Sequence, residues 1–353
     1  MRRTAAAATP VPKVPGETRA VDIRHRLLLV LLICTWAISW PVIKVAVATV
    51  PPIWFGCLRF LIAAVCLFAV AAVRREFVVP QRSDWRLVAI SGALQMAAYS
   101  ALTGLALIIL PPGRASVLAF STPLWVVPLA AWWLHERPSP TAMLGVAMGL
   151  VGVVVIAAPS LRAGIGDQMV AYAMLLGAAA AWAVSLVYVR THRFAATPLA
   201  LAPWQMLVAA ALLLCVAIFA EGRPPPIGAA GAAALAYVGP VATAFAYWAV
   251  VEAGRRFPVR TMSMALLAAP SLGLLISALT LGEEIGASLL GGVILIGAGI
   301  RLVTSASGSS PGKRSARRTG ASSPASARPA AKVAARRNRG KPASAVASDA
   351  PKP

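Results

Sequence analysis

The 353-residue chain is too apolar to fold as a water-soluble globule, since hydrophobic residues make up 59% of it and charged residues only 12%. Soluble domains carry about 25% charged residues, so lipid must surround most of this chain. A backbone in lipid satisfies its own N–H and C=O groups in helices or closed barrels. The apolar runs, such as 146–158, do not alternate as barrel strands do, and the sequence therefore predicts an all-α polytopic membrane protein.

The net charge of +22 is concentrated in the two terminal segments. Residues 1–26 hold six basic and two acidic residues, and residues 305–353 hold eleven and one. We therefore predict a basic N-terminal tail over 1–26 and a disordered basic C-terminal tail over 305–353. The C-terminal tail contains no aromatic residue that would stack on bases, which favours contact with anionic lipid over nucleic-acid binding.

Charged residues, prolines and glycines divide residues 27–304 into ten apolar runs. Each run has about 20 residues, the length that crosses a bilayer as a helix. In chain order the runs cover 27–48, 54–73, 86–108, 114–134, 141–159, 169–190, 199–220, 230–252, 260–281 and 286–304. The connections are short, which predicts antiparallel neighbours and no extramembrane domain.

Arginine is distributed unevenly between the two sets of loops. With a cytoplasmic N-terminus, the outside loops carry only Arg114, Arg162 and Arg223, and the inside loops carry ten arginines. Because positive loops stay in the cytoplasm, we predict a multi-pass protein of the cytoplasmic membrane with both termini inside. The ten inside arginines are Arg74, Arg75, Arg82, Arg86, Arg137, Arg190, Arg193, Arg255, Arg256 and Arg260.

The second half of the chain repeats the first. A shift of 147 residues superposes Pro123 on Pro270 and Glu136 on Glu283. Each half, 27–159 and 160–304, then has five spans, and an odd number inverts the second half relative to the first. Inverted repeats are a recurrent architecture of secondary transporters. Further matches at shifts of 146 or 147 are Pro111/Pro258, Ser116/Ser263, Gly145/Gly292, Gly152/Gly299, Trp36/Trp182 and Pro52/Pro198.

Motifs in the two halves resemble one family. Residues 121–145 read Ser-x-Pro-Leu-Trp, then Trp-Leu-His-Glu-Arg-Pro and Gly, and 269–292 repeat this weakly as Ala-Pro-Ser-Leu, Leu-Gly-Glu-Glu and Gly. The first span contains Trp-Ala-x-Ser-Trp-Pro from Trp36. These patterns are similar to the EamA domain of the drug/metabolite transporter (DMT) superfamily, and the likeness covers residues 27–304.

The resemblance implies a fold of ten transmembrane helices in two inverted five-helix EamA-like repeats. It also implies a secondary transporter that moves a small organic metabolite, an amino acid-like or drug-like solute, by alternating access. Many bacterial relatives are exporters, often proton-coupled. The residues themselves leave coupling open, because no Asp or Glu lies at the centre of a predicted span.

Polar residues inside the spans are candidates for the solute site, since polar groups in lipid are costly. Arg59 lies a few residues into the second span, and a shift of 146 superposes it on Gln205. Arg59 is suited to bind a solute carboxylate, or alternatively extends to the interface. Lys44, near the outer end of the first span, either has a substrate or gating role or extends to the interface.

Aromatic residues in the middle of spans are the second set of candidates. They are expected to line a cavity and stack on a solute, although aromatic residues also anchor spans at the membrane interface. The mid-span set is Trp36, Tyr99, Trp182 and Tyr247.

Repeat-matched residues have a structural or gating interpretation. Glu136 and Glu283 are expected to cap the N-terminus of the helix that follows each of them, and Pro123 and Pro270 are expected to kink their spans. Glycines spaced as Gly-x-x-x-Gly, from Gly145 onward, indicate close helix packing, in one chain or in a homodimer.

Other classes of function fit the sequence less well. The histidines, His25, His135 and His192, lie at loops or tails, and the cysteines have no metal-site spacing. We therefore predict no catalytic residue, metal or cofactor. A non-transporting membrane sensor or scaffold and an intramembrane enzyme stay as alternatives to a carrier.

Overall fold

Ten helices account for the ten apolar runs. The computed structural model describes residues 23–164, 166–192, 195–257 and 259–307. Nine helices of this described part are long and apolar enough to cross a membrane, and α9 contributes the shorter apolar stretch Leu267–Leu281. The prediction of an all-α polytopic protein is confirmed. The helices are α1 (Ile23–Val47), α2 (Pro52–Val73), α3 (Arg82–Ile109), α4 (Pro112–Trp133), α5 (Pro140–Ala163), α6 (Gly166–Arg190), α7 (Pro198–Ala220), α8 (Ala229–Arg256), α9 (Val259–Leu281) and α10 (Ala287–Ser307).

Local sequence signals set most helix boundaries. Proline is the first residue of α2, α4, α5 and α7, a position that needs no N–H donor. The Ser139 and Thr197 side chains accept the backbone N–H groups of Ala142 and Ala200, capping α5 and α7. Helix α1 begins at Ile23, four residues inside the segment predicted as a tail. Residues 1–22 and 308–353 of the predicted tails lie outside the described residues.

The bundle has two ends, because consecutive helices run in opposite directions. We refer to the end with the connections after α1, α3, α5, α7 and α9 as the Glu283 end, and to the opposite end as the Glu136 end. At the Glu283 end, the Glu221 carboxylate accepts the N–H groups of Ile53 and Trp54 at 3.0 and 2.9 Å, which joins α7 to α2. At the Glu136 end, the Asp84 carboxylate of α3 accepts the N–H groups of Ala195 and Ala196, just before α7. Each end therefore has a carboxylate that ties the two halves together.

Repeat-matched glycines bring α5 and α10 into backbone contact. A Cβ placed on Gly145 would lie 2.6 Å from the carbonyl oxygen of Gly299, and one on Gly152 would lie 2.9 Å from that of Gly292. The glycine pattern thus serves packing between the two halves of one chain. A homodimer stays a prediction, and these glycines do not support it because they contact the other half of the same chain.

The two repeat-matched prolines have different surroundings. In α4 the helix is divided into Pro112–Ala119 and Thr122–Trp133, and Pro123 lies in the first turn after the break. In α9, Pro270 lies inside one uninterrupted helix, and its carbonyl oxygen is 3.5 Å from the Ser116 hydroxyl of α4. The repeats are therefore alike in sequence but unlike in local conformation at this point.

Candidate functional site

The third helix of each half contains a π-helical segment near its middle. The segments are Ser91–Ala98 in α3 and Val238–Phe245 in α8, and a shift of 147 residues superposes one on the other. Segments of π-helix occur frequently at functional sites. The sequence does not predict these segments, because eight residues of widened helix leave no distinct periodicity.

Each π segment packs against the opposite half through a glycine. A Cβ on Gly92 would lie 2.7 Å from the carbonyl oxygen of Gln205 in α7. A Cβ on Gly239 would lie 2.7 Å from the Ile62 side chain and 3.5 Å from the carbonyl oxygen of Arg59 in α2. The two predicted polar site residues therefore lie at matching positions on the interface between the halves.

Arg59, Tyr99 and Trp182 lie together. The Arg59 side chain is half-buried, and its guanidinium carbon is 4.9 Å from the centre of the Phe60 ring, a cation–π distance. Its Nε is buried and has no hydrogen-bond partner among the described residues. Tyr99 is within electrostatic range of Arg59, and its ring meets Trp182 edge-on, with centroids 4.9 Å apart. Helices α2, α3 and α6 thus place a cation and two aromatic rings in one region.

Gln205 and Tyr247 form a second pair. The Gln205 side chain is 4% exposed, and its Oε1 accepts the Tyr247 hydroxyl at 3.2 Å. Trp36 lies elsewhere in α1, with its ring edge-on to Phe120 at 6.1 Å between centroids. The six predicted solute-binding residues therefore fall into three places. Arg59, Tyr99 and Trp182 form one group, Gln205 and Tyr247 form a pair, and Trp36 lies against Phe120.

Four further buried donors have no hydrogen-bond partner among the described residues. They are the Nε–H of Arg114, in the first turn of α4, the hydroxyl of Ser121 and the indole N–H groups of Trp125 and Trp182. Buried polar atoms are normally paired, so these groups are available to a bound solute. Ser121 and Trp125 were not predicted as site residues, although they are the first and last residues of the Ser-x-Pro-Leu-Trp motif.

Glu283 caps a helix, but not the one that the sequence predicted. Its carboxylate accepts the N–H groups of Gly113 at 2.8 Å and Arg114 at 3.0 Å, at the start of α4 in the other half. The Ser277 hydroxyl donates to the same carboxylate at 2.5 Å. The predicted cap on the following helix, α10, is therefore wrong, because the turn directs Glu283 across the interface between the halves.

Glu136, the repeat partner of Glu283, is exposed. Its side chain contacts no described residue through a hydrogen bond or ion pair, so the predicted cap on α5 is not formed. The two corners are nonetheless alike in backbone, since His135 (φ 54°) and Gly282 (φ 67°) are both left-handed and are superposed by the 147-residue shift. The difference between the two glutamates therefore arises from their surroundings, not from the turns.

Lys44 also makes a helix cap. Its Nζ donates to the carbonyl oxygens of Leu107 at 2.6 Å, Ile108 at 3.2 Å and Leu110 at 3.3 Å, at the end of α3. Carbonyl groups at a helix C-terminus have no intrahelical donor and bear partial negative charge. Lys44 and Glu283 thus cap the end of α3 and the start of α4, two adjacent helix termini at the Glu283 end.

Within the described residues, no group of three or more His, Cys, Asp or Glu side chains is placed to hold a metal ion. His192 stacks on Tyr188 at the end of α6, and His135 forms the exposed turn after α4. The site described above is thus built from hydrogen-bond donors and aromatic rings.

Comparison with known proteins places this bundle in a family. The EamA-like transporter family matches residues 25–158 and again residues 169–305. The chain belongs to the EamA-like transporter family. Its two halves are two copies of the EamA domain, and the family is part of the drug/metabolite transporter superfamily.

Individual relatives cover most of the chain. It is 31% identical to the "Aromatic amino acid exporter YddG" of Ancylobacter novellus over 69% of this chain and 85% of the relative. It is 30% identical to the "Probable terminal-alkyne amino-acid exporter" of Streptantibioticus cattleyicolor over 78% and 91%, and 26% identical to the "Uncharacterized transporter YvbV" of Bacillus subtilis over 80% and 92%. A solved crystal structure with 26% identity matches with a TM-score of 0.56, over 80% of this chain and 97% of that one.

Proposed function

We propose that the protein exports a small amino acid-like solute across the cytoplasmic membrane by alternating access, with the solute carboxylate bound at Arg59. The observation that carries this proposal is the buried Arg59 Nε, which has no acceptor among the residues that the structure describes. A cation inside a membrane domain is costly unless it is paired. A solute carboxylate supplies charge-assisted hydrogen bonds to a guanidinium.

The surroundings of Arg59 suit the rest of such a solute. Tyr99 and Trp182 present aromatic surface on one side, and the unpaired indole N–H of Trp182 is a further donor. Gln205, at the matching position of the other half, offers an amide with its carbonyl oxygen held by Tyr247. Amide and hydroxyl groups of this kind are suited to a solute ammonium or side-chain polar group.

Direction and mechanism rest on the relatives and on the repeat. Two relatives are named exporters of amino acids, which supports export here. The inverted halves supply two arrangements of similar energy, one open at each end of the bundle. The ten-to-three distribution of loop arginines supports a cytoplasmic position for the Glu136 end and both termini. Coupling to proton entry is the driving force that we propose for net export.

Reconstituted transport tests the proposal. The purified protein in liposomes is loaded with unlabelled L-tryptophan, L-phenylalanine or L-leucine and supplied with the labelled amino acid outside. We expect saturable counterflow for at least one of the three. Net flux of that amino acid in one direction is expected to increase when an imposed pH gradient drives protons in the opposite direction. Uptake equal to that of protein-free liposomes for all three would contradict amino acid transport.

A further inference from the structure

The caps at the Glu283 end have unformed counterparts at the Glu136 end. The shift of 147 residues that relates the halves superposes Glu283 on Glu136, and a shift of 146 superposes Lys44 on Arg190. Glu283 and Lys44 both bind helix termini. Glu136 and Arg190 are both exposed, and neither contacts a described residue through a side-chain hydrogen bond or ion pair. The repeat thus contains one pair of formed caps and one pair of free capping residues.

Helix packing shows the same asymmetry. Near the Glu283 end, α1 packs against α3 and α4. Its counterpart α6 has no comparable packing against α8 or α9 within the described residues. Helix α1 therefore contacts the two helices whose ends bear the formed caps, whereas α6 is apart from α8 and α9, the two helices that the repeat relates to them.

We infer that Glu136 and Arg190 close the Glu136 end in the alternate state by capping α9 and α8, as Glu283 and Lys44 close the Glu283 end here. This inference rests on the alternating-access function proposed above. By the repeat, the Glu136 carboxylate accepts the backbone N–H groups of residues 260 and 261, in the first turn of α9. The Arg190 guanidinium donates to the carbonyl oxygens of residues 254, 255 and 257 at the end of α8.

The chemistry of both contacts is favourable. A carboxylate at a helix N-terminus and a cation at a helix C-terminus each complement the partial charge of the unpaired backbone groups. The caps are also mutually exclusive in a rocking bundle, because closing one end separates the helices at the other. Breaking two caps at one end is then offset by forming two at the other, which keeps the two states close in free energy.

The contact at the Glu283 end has one additional hydrogen bond. Ser277 donates to Glu283, and the residue superposed on Ser277 by the 147-residue shift is Ala130. An alanine cannot donate to Glu136. This hydrogen bond biases the protein toward the state that is capped at the Glu283 end, and the structure shows the caps of that end formed.

Distances between two spin labels at the same end of the bundle, measured for each end in turn, test the inference without a solute. Cys34, Cys57, Cys66 and Cys215 are replaced by serine, and nitroxides are attached in lipid nanodiscs at one of two repeat-related pairs. The pair Arg137→Cys and Arg256→Cys reports the Glu136 end, and the pair Ile109→Cys and Glu284→Cys reports the Glu283 end. All four positions are exposed. In the wild type we expect each label pair to show both a long and a short distance. The fraction of molecules with the short distance at one end should equal the fraction with the long distance at the other.

The variants Glu136→Gln and Arg190→Gln are expected to deplete the short distance between positions 137 and 256. The depletion is about tenfold, because each substitution removes hydrogen bonds to a charged group. Glu283→Gln is expected to enrich the same distance. The matched controls are Glu76→Gln and Arg74→Gln, exposed residues at the same end, and they are expected to leave both distributions unchanged.

The outcomes separate this inference from the proposed function. If the wild type alternates but Glu136→Gln and Arg190→Gln both resemble the controls, the capping role of these residues is overturned and alternating access stands. If every variant shows one fixed distance at each end, alternating access and the capping role are both overturned.

Discussion

At Arg59 a cation lies in the membrane domain, and no described residue accepts its Nε proton. If a solute carboxylate is that acceptor, Arg59→Gln removes charge-assisted hydrogen bonds of about 1.5–3 kcal/mol. We expect KM for a transported amino acid to rise about 10- to 100-fold. Arg59→Lys is expected to be intermediate, because lysine keeps the charge but loses the planar fork. Both are measured as the concentration dependence of counterflow in liposomes.

The control for Arg59→Gln is a change of solute and not a second substitution. The amine that corresponds to the amino acid without its carboxyl group should be transported equally by the wild type and by Arg59→Gln. An equal rise in KM for the acid and the amine would show that Arg59 acts on the fold and not on the carboxylate.

Ser277 makes the second residue-scale prediction. Its hydrogen bond to Glu283 is absent at the repeat-related position, Ala130. Ser277→Ala is expected to weaken closure at the Glu283 end, so that the short distance between spin labels at 109 and 284 becomes less populated by several-fold. Thr280→Ala, one turn away with its hydroxyl bound to the carbonyl of Ile276 in its own helix, is the matched control. An unchanged distance distribution in Ser277→Ala would show that the hydroxyl does not bias the two states.

Residue type and the internal repeat together predicted part of this site. Arg59 was found because a charge inside an apolar run is costly, and Gln205 because the repeat superposes it on Arg59. Ser121 and Trp125 were missed, since what distinguishes them is a buried donor without a partner, and partners depend on packing. The target of Glu283 was missed for the same reason. A loop carboxylate has several helix termini within reach, and only the folded bundle selects the start of α4.

At the scale of the helix, the π segments depend on glycine. Gly92 allows α3 to approach the backbone of Gln205, and an added Cβ would lie 2.7 Å from the Gln205 carbonyl oxygen and 3.0 Å from the Val208 side chain. Gly92→Ala is therefore expected to destabilise the protein by about 1–3 kcal/mol, as overpacking does. It should also move Gln205 relative to Tyr247 and so reduce transport. Thermal unfolding in detergent and counterflow measure the two effects.

Gly177→Ala is the matched control for Gly92→Ala. An added Cβ there would lie 3.7 Å from the Leu102 side chain, an ordinary contact. Alanine favours a helix over glycine by about 0.5–1 kcal/mol, so the melting temperature should be unchanged or slightly higher. If Gly92→Ala behaves like Gly177→Ala, the close approach of α3 to α7 is not a requirement of the site.

For the whole molecule, the sequence determines the number and limits of the helices because lipid leaves few alternatives. A helix must be about 20 apolar residues long, and prolines, glycines and charges mark where it stops. The predicted runs differ from the observed helices by a few residues at each end. The conformational state was not predictable in this way. Both halves have nearly the same sequence signals, and the end with formed caps differs from the other in small features such as Ser277, which the repeat superposes on Ala130.

Orientation in the membrane is the remaining whole-molecule prediction. Exposed arginines at the two ends allow a direct comparison, namely Arg162 in the last turn of α5 at the Glu283 end and Arg137 at the Glu136 end. Each is changed to cysteine in a chain without the four native cysteines. We expect a membrane-impermeant maleimide to label Arg162→Cys in intact cells and Arg137→Cys only after permeabilisation. The physical reason is that positive loops are retained in the cytoplasm during insertion, and the Glu136 end carries most of them.

The two labelling results together distinguish three arrangements. Labelling of Arg137→Cys alone in intact cells would invert the orientation, and the Glu283 end would then face the cytoplasm. Labelling of about half of each population would indicate that the chain inserts both ways, as the symmetry of its halves permits when loop charge is balanced. Because loop arginine is so unequal here, replacing Arg74, Arg75 and Arg82 with glutamine should shift the population measurably toward the inverted form. If that triple variant inserts as the wild type does, residues other than these three arginines set the orientation.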